Sequence, residues 1–160
     1  MSALAHELAD ALHSEGEKTL AFFKELTPPQ MQAQIYDDGL AWTTHDLLAH
    51  FVEVEGSIGR VMRSVSEGGE GVAADFNINR WNEKNTTEMS QQHDDAALLA
   101  EFAARRAANV EWARSLSDEA LERRGRHPAL GETELKHMIK LMYIHLLGHQ
   151  RDIKRKLQLP

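Results

Sequence analysis

No cysteine occurs in the 160 residues, which excludes disulfides, thiolate metal sites and a cysteine nucleophile. Any metal the chain holds is therefore bound through nitrogen and oxygen. Long hydrophobic runs are also missing: nowhere do some 18 apolar residues follow one another, as a membrane-spanning helix requires. The opening Met1-Ser2-Ala3-Leu4-Ala5-His6-Glu7 has neither a basic segment nor an apolar core of the kind that marks a secretory signal. A soluble, cytoplasmic protein is expected, with no membrane partner. Positive charge is in deficit, with 18 Lys and Arg against 25 Asp and Glu and a formal charge of −7. That balance disfavours wrapping a phosphate backbone, so nucleic acid is not an expected partner. The basic run that closes the chain (Arg151, Lys154, Arg155, Lys156) reads as cations complementing a helix dipole. Strand signals are scarce too, with few β-branched runs and no period-2 alternation.

What remains is helical periodicity in four long segments, and the chain is read as one all-α domain over residues 1–160. The first helix spans about Ser2 to Leu26, with Leu4, Leu8, Leu12, Leu20 and Phe23 at helical spacing. It stops at Thr27-Pro28-Pro29, because two prolines cannot continue a helix interior. Gly16 weakens its middle. Thr43 is a candidate N-cap for the second helix, with Asp46 three residues on as a capping-box partner. This helix runs to about Ser66 on a stripe of Leu47, Phe51, Val54, Ile58, Val61 and Val65, and His50 lies at the stripe's margin. Glu67-Gly68-Gly69-Glu70-Gly71 then reads as a flexible turn. A third segment runs from Asn77 to Ser115, interrupted near Gln91-Gln92-His93-Asp94. Its core residues are Leu98, Leu99, Phe102, Val110 and Trp112. A short helical turn starts at Ser117, Arg126 to Gly131 reads as a loop, and the last helix covers about Thr133 to Leu157. Four such helices bury their apolar faces as a bundle.

Chemistry concentrates in the last helix. His145 and His149 stand four residues apart, so both imidazoles leave one face, one turn apart. They share that face with Leu135, Met138, Met142 and Ile153, which points them at the core. A divalent metal satisfies two core-facing imidazoles at once, and His50 is the candidate third ligand. Three neutral imidazoles suit Zn, Ni, Fe or Cu and leave a position open for water or substrate. Nine histidines in 160 residues also produce close spacings by chance, and spacing alone does not separate a metal site from satisfied core or surface histidines. His137 falls towards the polar flank of the helix, and His6, His13, His45, His93 and His127 are read as surface or turn residues. A di-iron carboxylate bundle needs two Glu-x-x-His pairs, and the chain offers only Glu134-Leu135-Lys136-His137. Glu53, three residues after His50, is the candidate catalytic residue. It can orient His50, bind metal or act as a general base, while the plainer alternative is a solvated helix edge. Asp152 after His149 is placed for a similar supporting role. Trp42, Trp81 and Trp112 belong in the core or at a subunit interface.

Several landmarks, in order and over nearly the whole chain, resemble the DinB/YfiT-like superfamily of metal-dependent four-helix bundles. Trp42-Thr43-Thr44-His45-Asp46-Leu47-Leu48-Ala49-His50 is similar to that family's tryptophan-led entry to the second helix, ending in the first ligand. Asp75 to Glu83 resembles the segment after the helix-two loop, and His127-Pro128-Ala129-Leu130-Gly131-Glu132-Thr133 the approach to the last helix. His145-x-x-x-His149 matches the closing ligand pair. The resemblance implies a three-histidine metal site at His50, His145 and His149, with Zn or Ni ahead of Fe. It also implies a crossed bundle with a long connection between helices two and three, and assembly as a homodimer. Asn82 sits in a family-like segment and is the candidate cofactor- or substrate-contacting residue, with local backbone bonding as the alternative. The implied activity is that of a transferase or isomerase in which a low-molecular-weight thiol cosubstrate, such as bacillithiol, mycothiol or glutathione, attacks a small electrophile. With no cysteine in the chain, that nucleophile must arrive from outside. Metal-dependent hydrolysis, with water in the open position and Glu53 as base, is one alternative, and a non-catalytic, stress-related binding bundle is another.

Overall fold

The structure is a computed structural model that describes all 160 residues. Its elements are α1 (Ala3–Lys24), α2 (Pro28–Gln32), α3 (Thr44–Ser66), α4 (Ile78–Gln92), α5 (Asp95–Arg114), α6 (Asp118–Glu122), β1 (Arg124–His127), β2 (Gly131–Glu134) and α7 (Leu135–Leu157). The four long helices α1, α3, α5 and α7 make the bundle, α1 packing on α5 and α7 and α3 on α5 and α7, while α4 lies along α3. No helix is long and apolar enough to cross a membrane.

Local chemistry sets most of the helix ends. Thr43 and Asp46 form the reciprocal capping box expected of them, with Thr43 Oγ1 accepting from the Asp46 amide and Asp46 Oδ2 from the Thr43 amide. The two prolines that stop the first helix start another one. Pro28 occupies the first turn of α2, where its missing N–H costs nothing, and Thr27 caps that turn together with Gln30. The break expected near residues 91–94 falls at His93, after which Asp94 caps α5.

Two apolar clusters fill the bundle. One gathers Leu8, Leu12, Met62, Val65, Leu121, Leu135, Met138 and Ile139, the other Phe23, Leu47, Phe51, Leu98, Phe102, Leu146 and Ile153. Along α3 and α5 a buried polar layer separates them, since Glu55 lies between Phe51 and Met62 and Arg106 between Phe102 and Ala113. The Arg106 guanidinium donates to Glu55 Oε1 at 2.6 Å and to the Leu12 carbonyl at 2.9 Å, while Asn109 donates to Glu55 Oε2 at 2.8 Å. Gly16 has its explanation here. A Cβ at that position would come within 2.8 Å of Arg106 Cγ, so the glycine makes room for the arginine stem to lie against α1.

Three sequence expectations are corrected. The segment read as a loop from Arg126 to Gly131 belongs to a two-stranded antiparallel hairpin, β1 pairing with β2. Its strands, Arg-Gly-Arg-His and Gly-Glu-Thr-Glu, are too short and polar to show a hydrophobic alternation. The glycine cluster read as a flexible turn is tied to this hairpin at its far end, around Gly71. The Arg126 amide donates to the Glu70 carbonyl at 2.8 Å and the Val72 amide to the Arg126 carbonyl at 2.9 Å. Gly71 takes φ +85° against the Arg126 backbone, a position that no side chain could share. Finally, His127 is not a surface or turn residue but is buried at the end of β1. Among the other histidines read as superficial, His13 is exposed, while His6, His45 and His93 are half-buried.

Candidate metal centre

α3 and α7 pack against each other, and this brings the helix-borne histidines together. His145 Nε2 lies 3.0 Å from His149 Nε2 and 3.4 Å from His50 Nε2. One nitrogen from each ring falls within 4.8 Å of the other two, an arrangement that could hold a metal ion. The two separations from His145 also suit an ion in size. Imidazole nitrogens about 2.0–2.1 Å from a tetrahedral ion stand roughly 3.3 Å from one another. His50 is more deeply placed than its position at the margin of the stripe suggested, being only 4% exposed. Trp42 lies against it with ring centroids 4.8 Å apart.

Electrostatics keeps all three rings neutral, which is the ligating form. Burial drives the His50 pKa well below the ordinary value, and charge on His145 or His149 would lower it further. Burial, then His149 and His127, push His145 down to about 4. His149 is lowered by burial and partly restored by Asp152. Burial also takes His127 down to about 4.

These shifts carry a sign for stability. Unfolded, each imidazole titrates near about 6.5. Between there and about 4 the unfolded chain binds protons that the folded chain refuses. Stability of the metal-free protein is therefore complete above the unfolded value and is lost as pH falls towards the folded values. Thermal melts of chelator-treated protein are expected to show a falling midpoint from about pH 6.5 to about pH 5, above the range where most carboxylates titrate. A flat midpoint across that window would contradict the buried neutral histidines.

Sequence reading did not single out Tyr36. Its hydroxyl donates to Asp152 Oδ2 at 2.6 Å and accepts from His149 Nδ1 at 2.8 Å. Burial and then Asp152 raise the Tyr36 pKa, so the hydroxyl keeps its proton. His149 Nδ1 thus carries the ring proton and Nε2 keeps its lone pair for an ion. Asp152, three residues after His149, reaches that ring through the tyrosine. Tyr36→Phe is expected to weaken metal affinity by about 10- to 100-fold, the usual cost of losing such a partner. Competition with a chromophoric chelator measures the loss. Nothing in the connector sequence marks Tyr36, since only folding brings residue 36 to residues 149 and 152.

The three imidazoles line a cavity of about 390 Å³ with mainly apolar walls from α3, α4, α7 and the hairpin. Trp42, Glu53, Trp81, Asn82 and His127 reach it as well. Glu53 is 7% exposed, and its Oε1 accepts from Trp81 Nε1 at 2.9 Å. It does not orient His50, whose Nδ1 instead faces Thr86 Oγ1 at 3.5 Å. Asn82 Oδ1 is buried without a partner, so local backbone bonding does not account for that atom. Trp42 and Trp81 thus serve the cavity, while Trp112 packs half-buried beneath Arg63, 5.0 Å from the ring centroid. The Glu134–His137 pair stands apart, with Glu134 bonded to Lys136 and His137 exposed.

Fold and site together define a helical-bundle protein with a three-imidazole centre at the wall of an apolar cavity. The chain belongs to the DinB superfamily, whose sequence profile matches residues 11–153. Among solved structures it is similar to YfiT from Bacillus subtilis, described as a probable metal-dependent hydrolase with an unusual four-helix bundle topology. The TM-score is 0.78 at 17% identity, over 100% of this chain and 91% of that one. The mycothiol-dependent maleylpyruvate isomerase gives a TM-score of 0.72 at 14% identity over 96% of this chain, which spans 63% of the isomerase. An uncharacterized protein from Clostridium difficile 630 gives 0.60 at 18% identity, over 99% of this chain and 97% of that one. No curated protein sequence matches the chain. At these identities the likenesses establish a shared fold.

Proposed function

We propose that the chain is a metal-dependent enzyme that recruits a low-molecular-weight thiol from solution to attack a small electrophile, as a transferase or isomerase does. One observation carries this reading: three neutral imidazoles converge on the wall of an apolar cavity in a chain without cysteine. A divalent ion held by His50, His145 and His149, zinc or nickel by donor set, would supply Lewis acidity and lower the pKa of a coordinated thiol or water.

The chain's own residues supply the rest. Trp42, Val54, Ile58 and Leu141 line the cavity with apolar surface that excludes water, which strengthens the electrostatic interactions inside it. Glu53, held by the Trp81 indole N–H, is the acceptor for the proton that the nucleophile gives up. Asn82 offers its unpartnered Oδ1 to a bound molecule. The fold shared with a mycothiol-dependent isomerase supports the thiol.

Hydrolysis is the second reading, favoured by the description of YfiT and by a buried glutamate on the cavity wall that can serve as base for water. Cobalt-substituted protein separates the cases. A change in its visible spectrum with glutathione, bacillithiol or mycothiol, accompanied by thiol transfer to an electrophile, supports the first reading. Turnover of ester or amide substrates in thiol-free buffer supports the second. A saturated spectrum that neither thiol nor azide perturbs points to a non-catalytic binding bundle. A cytoplasmic setting and a homodimer belong to the same proposal, and sedimentation tests the latter.

A further inference from the structure

His127 ends β1 on the cavity wall and is 6% exposed. The amides of Ala129 and Leu130, in the turn that follows, both donate to its Nδ1, at 3.0 and 3.2 Å. A nitrogen that accepts two hydrogen bonds presents its lone pair, so the neutral ring carries its proton on Nε2. The backbone thus fixes both the tautomer and the ring orientation. Both hydrogen bonds of the ring are at Nδ1, which leaves the Nε2–H without a protein acceptor. Burial lowers the pKa to about 4, and the ring is a neutral donor near neutral pH. A donor held this rigidly on the cavity wall, with no protein acceptor, is a site for a ligand acceptor.

We propose that His127 is a substrate-binding residue whose Nε2–H donates to an uncharged carbonyl oxygen, so that the cavity takes a small, largely apolar carbonyl compound such as an enone. A neutral N–H in apolar surroundings matches a carbonyl. It would compensate poorly for the desolvation of a carboxylate, and the one arginine of the wall, Arg60, is exposed to solvent. On attack at the conjugated carbon, negative charge grows on that oxygen, and a fixed donor stabilises it without having to reorient. The inference deepens the proposed function and rests on it for the electrophile as the cavity's occupant.

The test uses zinc-loaded protein labelled with ¹⁵N-histidine, titrated with cyclohex-2-enone and, as the control without oxygen, cyclohexene. Long-range ¹H–¹⁵N spectra are expected to place the His127 proton on Nε2 and to show that resonance shifting with the enone and not with cyclohexene. His127→Asn separates binding from turn capping, because the asparagine Oδ1 can accept the Ala129 and Leu130 amides but offers no donor at the Nε2 position. This variant is expected to keep its zinc stoichiometry and to bind the enone at least about tenfold more weakly, roughly 1.4 kcal/mol. A proton on Nδ1, no enone binding by wild type, or equal binding by His127→Asn overturns the proposal. Should His127→Asn fail to fold, the wild-type titration decides by itself. Enone binding through His127 without any thiol transfer would defeat the proposed function and leave this inference standing.

Discussion

Replacing His145 with alanine is expected to abolish one-to-one metal binding while leaving helical content almost unchanged. His145 Nε2 is the middle member of the cluster, 3.0 Å from His149 and 3.4 Å from His50. Its loss leaves two imidazoles on different helices with no third nitrogen between them, and two neutral donors hold a divalent ion far less well than three. The fold has other supports. Leu135, Met138, Ile139, Met142, Leu146 and Ile153 keep α7 in the core, and alanine is the best helix former. Metal per chain after dialysis, measured by elemental analysis alongside circular dichroism, checks both halves. A variant that still carries one ion per chain would show that the ligand set is wrong.

Glu55→Ala is expected to have the largest effect on stability. The carboxylate is fully buried and the Arg106 side chain is 4% exposed. Arginine stays protonated in proteins, so removing its partner strands a cation between two apolar clusters and takes an acceptor from Asn109. Breaking such a pair from one side costs about 3–5 kcal/mol. Chemical denaturation should show that loss, whereas Glu55→Leu with Arg106→Met, which removes both charges and fills the space, should recover most of it. If the double variant is no better than the single one, the layer has a role beyond charge compensation.

Which features could be read from the sequence follows from the distance over which each is determined. The capping box at Thr43 and Asp46, the break at His93-Asp94 and the His145-x-x-x-His149 pair each depend on residues three or four apart, and each was visible from spacing and side-chain chemistry. Glu55, Arg106 and Asn109 gave no such sign. Charged residues on a long helix ordinarily face solvent, and only the packing of α3 on α5 makes these three one another's partners. The β1–β2 hairpin was hidden for a different reason. Its burial comes from Gly125 against Val65 and from His127 in the cavity, not from an alternation of apolar side chains.

By itself the sequence determined that the chain is helical, where the long helices begin and end, that it has no thiolate to offer a metal, and which helix face carries two imidazoles. These follow from backbone geometry and side-chain type within one or two turns. Tertiary structure brought His50, the third ligand candidate from the sequence, up to that pair, and it alone decided that Tyr36 links His149 to Asp152 and that His127 turns inward with one nitrogen held by the backbone. Each of these joins residues that are distant along the chain, or depends on the burial that comes with them, and such proximity is set by how apolar faces pack rather than by any local pattern.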